Sequence, residues 1–372
     1  MTYTKTTGIK TTITRLLKKP LFLILCSLYM SPAGAQTATS AYQPGVTPDG
    51  AVYFLPTTAV RVTVRMEKAV YTPGDFALYA ERFLRLKDVP TEPNTAYRIL
   101  SINQTAIGVP DTSKVFSVKF NNKTSAINMA LSEDGIILAL NTQPVPQASP
   151  TPFKAAPKPA AVNPRQYMNE EILAAGSLAK MAQLTAQEIY DVRDSRSQLI
   201  KGQADFMPKD GEQMKMMLGQ MDQQEKALTS LFAGTTARDT IERTFVIAPS
   251  GELTMQPLFR FSKRFGLVDS DDMSGEPYSI CVQNQTQLPA TDAVQAAKRK
   301  KAEDGFYYNI PGKMRCIIYK GNKAVSQEDF PAAQFGNVEL LSGDLFNKHY
   351  GTRLRMNPVT GGIDKLEAEQ PK

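Results

Sequence analysis

The chain has 372 residues, and its 43 lysines and arginines against 36 acids give a net charge of +7 at pH 7. Five of these cations lie in the first 35 residues, which contain no acid, so the rest of the chain carries 38 cations against 36 acids. This near balance argues against a general nucleic-acid-binding protein, because such a protein needs a concentrated basic surface. The single histidine, His349, argues against catalysis by a serine or cysteine with a histidine base, and against metal sites with several histidine ligands.

The first 35 residues have the pattern of a secretory signal peptide. Lys18 and Lys19 precede an uncharged, mostly apolar run over residues 21–30, and the small residues Ala33 and Ala35 suit a signal peptidase. The run is about half as long as the roughly 20 residues that a membrane-spanning helix needs. We therefore expect cleavage between Ala35 and Gln36, a periplasmic or otherwise exported protein, and no transmembrane segment in the mature chain.

Cys26 leaves a lipid anchor open as a second interpretation of this leader. Bacterial lipoprotein processing prefers a small residue directly before the modified cysteine, and Leu25 does not fit that preference. Free export is therefore the preferred interpretation of the leader.

A β-rich domain with one helix is predicted over residues 51–141, after a flexible N-terminus at residues 36–50. Residues 60–66 alternate between apolar and polar side chains, which is typical of a half-buried strand. The sequence Thr72-Pro73-Gly74-Asp75 predicts the start of a helix, because threonine can cap a first turn and proline suits it.

A proline-rich linker is predicted next, followed by a helical hairpin. Residues 142–164 contain seven prolines in 23 positions, which favours an extended, semi-rigid spacer and marks a domain boundary. Residues 165–233 then contain two stretches, 167–201 and 210–232, with apolar residues at helical spacing. Their short connection predicts an antiparallel pair of helices, with Asp210 as the cap of the second helix.

Three charged residues fall on the predicted seam between these helices. The apolar spacing of the first helix continues onto Arg193 and Arg196, and that of the second helix continues onto Glu225. Charges in an apolar seam should be paired, so one interpretation is a structural ion pair that fixes the register of the hairpin. A contact with a polar ligand or partner, and side chains that simply extend into solvent, are the two alternatives.

A second β-rich domain is predicted over residues 234–365, with a flexible tail at residues 366–372. Cys281 and Cys316 both lie in strand patterns and would leave the reducing cytosol with the exported chain. A disulfide between them would close a loop of about 35 residues and stabilise the fold by about 3 kcal/mol in the chain-entropy model. The alternative is two separate buried thiols that act as small apolar side chains.

Three further patterns have a structural explanation beside the functional one. The acids Asp269, Asp271, Asp272 and Glu276 match calcium-loop spacing poorly and favour a solvated turn. The basic run over residues 298–301 favours an exposed loop over an anionic partner site. Asp239-Thr240-Ile241 resembles a short O-glycosylation signal of exported proteins, which makes Thr240 a candidate for modification.

Several short groups of residues carry a family resemblance. They are Tyr53–Pro56, Tyr71–Gly74 and Tyr79–Leu84 near the start, Ile189-Tyr190, Arg193–Arg196, Gly202–Gly211 and Gln224-Glu225 in the helices, and Gly266–Val268, Ser274–Pro277, Gln334–Gly336 and Leu345–Asn347 near the end. Together they resemble an exported family of Bacteroidetes known as domain of unknown function 4831. The resemblance implies an exported protein of a Gram-negative envelope, and it implies no catalytic residues.

The predicted fold class is α+β, with two β-rich domains connected by the proline-rich linker and the long antiparallel helical hairpin. The predicted function is a non-enzymatic binding or scaffold module for an envelope protein or glycan, with no nucleic-acid partner, no cofactor and no metal. The alternative is a carboxylate-dependent hydrolase of envelope glycan or peptide. Two close carboxylates in a concave cleft would favour the hydrolase, whereas an apolar patch or a projecting hairpin would favour the binding module.

Overall fold

The structure is a computed structural model, and it describes residues 39–41, 51–118, 128–146, 153–155, 157, 162–208, 210–287, 305–346 and 351–369. The predicted signal peptide, its cleavage site at Ala35 and Gln36, the basic run at residues 298–301 and His349 lie outside these residues. Among the described helices, none combines the length and the apolar character that crossing a bilayer requires.

Strands make up most of the described fold, and they form three antiparallel sheets. The strands are β1 (Thr39–Ala41), β2 (Ala51–Thr72), β3 (Asn94–Val118), β4 (Met129–Leu131), β5 (Ile137–Leu140), β6 (Thr235–Ile247), β7 (Leu253–Ser262), β8 (Gly266–Val268), β9 (Glu276–Asn284), β10 (Gly305–Lys320), β11 (Lys323–Ser342), β12 (Gly351–Met356) and β13 (Ile363–Glu369). Sheet A has the order β1-β3-β2-β6, sheet B the order β11-β10-β9-β7-β8, and sheet C the order β13-β12-β5-β4.

Sheets A and B pack against each other through one apolar core. Val60, Val62 and Val64 of β2 are fully buried and belong to the same core cluster as Phe259 of β7 and Ile318 of β10. Neighbouring residues of a strand point to opposite faces, so the alternation over residues 60–66 buries one face of β2 and leaves the other facing outward. The strand predicted at these residues is confirmed as the middle of β2.

A second core joins sheet C to the ends of sheets A and B. Tyr53 and Leu55 at the start of β2 are fully buried there, together with Leu140 of β5, Phe306 of β10 and Leu354 of β12. The Tyr53 hydroxyl donates to the Tyr307 carbonyl at 3.3 Å and accepts from the Tyr307 N–H at 3.0 Å. The long strand β2 therefore takes part in both cores.

Two short and two long α-helices form a bundle at the end of sheet A where β2 ends and β6 begins. They are α1 (Ala80–Leu84), α2 (Glu170–Leu173), α3 (Leu178–Lys201) and α4 (Gly211–Ala233). The cap predicted at Asp210 is confirmed, since its carboxylate accepts from the Gln213 N–H at 2.7 Å. Helix α3 ends at Gly202, which adopts the left-handed conformation that glycine allows at a helix C-terminus.

The bundle has its own core and contacts sheet A where β2 ends and β6 begins. Phe76 and Phe232 are buried in that core, with their ring centroids 5.3 Å apart. The last residue of β2, Thr72, pairs with the first residue of β6, Thr235. The chain then turns so closely past α4 that the Phe76 N–H donates to the Leu231 carbonyl at 2.7 Å.

The two-domain prediction is corrected by the strand pairing. Strand β6 follows the proline-rich segment in sequence but pairs with β2, which precedes it. Strand β12 likewise pairs with β5 across the same segment, and Gln36–Lys372 group into one compact unit. Within the segment, the Phe153 ring lies 5.2 Å from the Arg65 guanidinium of β2. The proline-rich segment therefore does not separate the strands on its two sides into different domains.

Several predicted element boundaries also differ from the structure. The first long helix, predicted from residue 167, begins only at Leu178, since the short helix α2 ends at Leu173 before it. The flexible ends predicted at residues 36–50 and 366–372 contain β1 and most of β13, because both find a partner strand.

Candidate binding groove

A half-open groove of about 850 Å³ lies between sheet A and the turns of sheet C. One side is the run Thr105–Pro110 of β3, with Arg61 of β2 beside it. The opposite sides are the turn between β4 and β5, with the strand that follows it, and the turn between β12 and β13. Segments that are far apart in sequence therefore form the groove.

The turn between β12 and β13 reaches β3 because Gly108 has no side chain. A methyl group on Gly108 would overlap the carbonyl oxygen of Pro358 in that turn. The turn itself is closed by Asn357, whose side-chain oxygen accepts from the Val359 N–H at 2.9 Å and the Thr360 N–H at 3.1 Å. Pro358 and Val359 consequently form one wall of the groove.

Buried polar side chains hold this wall in place. The Asn309 amide donates to the carbonyls of Pro56 at 3.0 Å and Thr360 at 2.8 Å, and its side chain is fully buried. The hydroxyl of Thr58, also fully buried, donates to the Val359 carbonyl at 3.3 Å and accepts from the Ala333 N–H at 3.1 Å. Since a buried polar group is costly unless it is bonded, these contacts fix β2, β10, β11 and the turn relative to one another.

The groove is mainly apolar, with one cation and one anion. Ile107, Ile136 and Leu138 lie among its lining residues. Arg61 is half-buried and forms no ion pair with another described residue, and the same is true of the exposed Asp134. Asp134 is also the one carboxylate among the residues that line the groove. The groove can therefore bind an apolar ligand with charged groups, but it lacks a pair of carboxylates for acid and base catalysis.

The structure brings together the three charged residues of the predicted helical seam. The Arg193 Nε atom lies 2.6 Å from Glu225 Oε1, and the Arg196 Nη1 atom lies 2.8 Å from Glu225 Oε2. Arg196 also contacts Asp222 at 2.6 Å, and this hydrogen bond, with the Glu225 carboxylate, raises the pKa of the Arg196 guanidinium. Because α3 residues 193 and 196 meet α4 residues 225 and 222, the two helices run antiparallel.

We expect Glu225→Ala to lower the free energy of unfolding by about 1 kcal/mol, because Glu225 binds two arginines and its side chain is only 16% exposed. The matched control is Asp222→Ala, whose side chain is 47% exposed and binds one arginine, so it should cost less than about 0.5 kcal/mol. Urea denaturation measures the free energy of unfolding of both variants. High salt should reduce the difference between Glu225→Ala and the wild type, because it screens the ion pair. Equal stability of Glu225→Ala and the wild type would contradict a structural ion pair.

The free end of the hairpin exposes large apolar side chains. Ile200 at the end of α3 is 67% exposed, Phe206 in the connection is 66% exposed, and Met216 in α4 is 69% exposed. This end of the hairpin is opposite the junction of α4 with β6. None of the three side chains belongs to the core of the bundle. The hairpin end is therefore a second surface on which a partner could bind.

Cys281 and Cys316 lie on adjacent strands but are free thiols in the structure. Cys281 of β9 faces Ile317 of β10, whereas Cys316 faces Val282. Because adjacent residues of a strand point to opposite faces, the two sulfur atoms lie on opposite faces of sheet B. This arrangement differs from the disulfide prediction and matches the alternative of two separate thiols.

We expect Cys281 to react with a thiol reagent in the native protein and Cys316 to react only after denaturation. Burial, and to a lesser degree the Asp329 carboxylate, raise the pKa of the Cys316 thiol from 9.0 to about 12. The folded protein holds this proton more tightly than the unfolded chain, so the group favours folding below about pH 9 and loses that effect as the pH rises toward 12. Mass spectrometry after alkylation without a reductant counts the thiols. Fewer than two labelled cysteines in the denatured protein would support the disulfide.

The remaining predicted positions lie apart from the groove. Asp269, Asp271, Asp272 and Glu276 are exposed, and the described residues contain no group of three histidines, cysteines or acids that could hold a metal. The Asp272 carboxylate accepts from the Ser274 N–H at 2.8 Å, and this bond lowers the pKa of Asp272. Thr240 is half-buried in β6 opposite Glu67, and its glycosylation stays a prediction.

The groove residues escaped the sequence analysis, because no local pattern connects β3 with two distant turns. One usable signal was present in the run Thr105–Pro110. A glycine inside a strand often marks the close approach of another backbone, and Gly108 does so here.

Comparison with known proteins supports the family resemblance. A family model described as domain of unknown function (DUF4831) matches residues 49–364, which is most of the chain. No curated protein and no solved structure matches the chain. The chain therefore belongs to the family of domain of unknown function 4831.

Proposed function

We propose that this chain is an exported envelope protein that binds another macromolecule and does not catalyse a reaction. The observation that carries the proposal is the groove of about 850 Å³, which is open, mainly apolar and lined by a single carboxylate. Open apolar surfaces of this kind are typical of binding sites. The predicted signal peptide at residues 1–35 supports export.

The alternative hydrolase receives no support from the groove. Glycoside hydrolysis commonly needs two carboxyl groups that lie about 5–9 Å apart on either side of the bond to be cleaved. Asp134 has no carboxylate partner among the other lining residues. Binding is therefore the function that this geometry favours.

Site-specific photo-crosslinking in the native host tests the proposal. A crosslinking amino acid is placed at Ile107 in the groove, at Phe206 on the hairpin end, and at Met273, which is 80% exposed in the turn before β9, as the control. We expect recurrent partners, identified by mass spectrometry, from the groove or the hairpin and none that recurs from Met273. The same background from all three positions would overturn the proposal.

A further inference from the structure

The groove follows the edge of a strand and not only a sheet face. All six residues of Thr105–Pro110 line it, although neighbouring residues of a strand point to opposite faces. A space along the edge of a strand contacts residues of both faces in this way. The other edge of this run is paired with β2, at Thr57–Arg61 for the residues Val109–Thr105.

This edge of β3 has no strand partner along the groove in the described part of the chain. Strand β1 pairs with the same edge, but only at Phe116–Val118. Between these two regions, residues 111–114 leave the register, since Phe54 pairs with Val115 and Pro56 with Pro110. The Asp111 carboxylate closes that excursion by accepting from the Ser113 N–H at 3.0 Å. The edge at residues 105–109 is consequently separate from the one that β1 covers.

The same edge also lacks the features that protect other edge strands. Charged side chains and prolines on an edge discourage the addition of a further strand. The edge strand β6 carries Arg238, Asp239, Glu242 and Arg243, and the edge strand β11 carries Glu328, Asp329 and Pro331. By contrast, Thr105–Val109 contains no charge and no proline, and Pro110 marks the end of this unprotected stretch. An unprotected edge inside an open groove is suited to a partner strand.

We propose that an extended segment of a partner polypeptide binds in this groove as an added strand on the edge of β3. This inference rests on the proposed binding function and names its ligand. Backbone hydrogen bonds to residues 105–109 would supply affinity, as in other cases of strand addition. At about 3.3 Å per residue, the five residues 105–109 span about 17 Å, so the bound segment is about five residues long.

The lining residues define the side chains of that segment. Residues that point toward Ile136 and Leu138, or toward Pro358 and Val359, are apolar. A residue next to Arg61 is acidic, because this half-buried guanidinium has no ion pair with a described residue and charges in such a place favour a partner. The ligand is therefore an extended apolar peptide with at least one acid.

A displayed library of random decapeptides tests the inference. The library is selected on the protein purified from its native host and counter-selected on the Ile107→Lys variant, whose lysine enters the groove. The matched control is Val325→Lys, which changes an exposed residue of β11 outside the groove. Equal melting temperatures of the three proteins establish that both variants fold. We expect peptides with apolar residues at alternate positions and one acid, which bind the wild type and the control but not Ile107→Lys.

Synthetic peptides of the selected sequences then test strand pairing. Methylation of every second backbone nitrogen should weaken binding about tenfold or more in one of the two alternating patterns and little in the other, because only alternate N–H groups face β3. Arg61→Glu should likewise weaken binding about tenfold, and replacement of the peptide's acid by lysine should restore it.

Three results would overturn the inference. They are the absence of groove-dependent peptides, equal binding of both methylated patterns and the unmethylated peptide, and a dimer of this chain that dissociates in Ile107→Lys. In the last case the occupant is a second copy. Recurrent crosslinks from Ile107 in the cell, together with any of these results, would leave the proposed binding function standing while this inference fails.

Discussion

Replacement of Asn309 by aspartate is expected to lower the free energy of unfolding by about 3–5 kcal/mol, the usual cost of an uncompensated buried charge. The wild-type amide donates two hydrogen bonds to the carbonyl oxygens of Pro56 and Thr360, and water does not reach it. A carboxylate there offers no donor and places negative charge against two oxygens. Urea denaturation followed by circular dichroism measures the difference.

The loss of stability in Asn309→Asp should increase with pH. Burial raises the pKa of the introduced carboxyl above its ordinary value of about 4. The folded variant therefore holds that proton more tightly than the unfolded chain, so its stability relative to the wild type is greatest below about pH 4 and falls as the pH rises. A loss that does not change between pH 4 and pH 7 would contradict this explanation.

Asn163→Asp is the matched control for this chemical change. The Asn163 side chain accepts from the Arg165 N–H at 3.1 Å and is exposed, so a carboxylate can take over its contact at the start of a helical turn. We expect a change of less than about 0.5 kcal/mol. A similar loss in both variants would indicate that the substitution itself, and not the buried donor, causes the effect.

Gly74→Ala is expected to cost about 1–3 kcal/mol, the usual cost of an atom forced into a packed interior. A methyl group on Gly74 would overlap the backbone carbonyls of Ser230 and Leu231 in α4, which cannot move aside as a flexible side chain could. The helical bundle would have to shift from the end of β2. Denaturation and limited proteolysis of the bundle are the measurements.

Gly219→Ala should have the opposite effect. Gly219 lies inside α4, and a methyl group there would contact nothing within 4 Å. Alanine favours a helix interior over glycine by roughly 0.5–1 kcal/mol, so this variant should be more stable than the wild type. A loss of stability in both variants would show that the contact of Gly74 with α4 is not what matters.

Local features of the fold were predictable from the sequence. The alternation at residues 60–66 involves only neighbouring residues of one strand. The cap at Asp210 is a contact with Gln213, which is three residues later. The charges at Arg193 and Glu225 were predictable because helical spacing places them on facing sides. Such patterns extend over a few turns or a single strand, where the geometry of the element itself decides which residues meet.

Sheet pairing and the groove were not predictable in the same way. Strands β2 and β6 pair along thirteen residues, but no residue pattern in either strand indicates which strand it pairs with. The proline-rich segment between them predicted a domain boundary because its composition excludes a core, which says nothing about pairing between its flanks. The importance of Asn309 depends on Pro56 and Thr360, and neither lies near it in sequence.

The connection of sheet C also constrains the order in which the protein can fold. The Asn141 side chain bonds to the Thr352 carbonyl, 211 residues later, and β5 pairs with β12 beside it. A chain that is synthesised from its N-terminus can form the hairpin of β2 and β3 early. One edge of β5 then stays unpaired until its partner strand β12 has been synthesised. Loop closure over such distances is slow, and unpaired edges attract other chains during the delay. Efficient folding should therefore depend on how quickly the C-terminal strands are delivered.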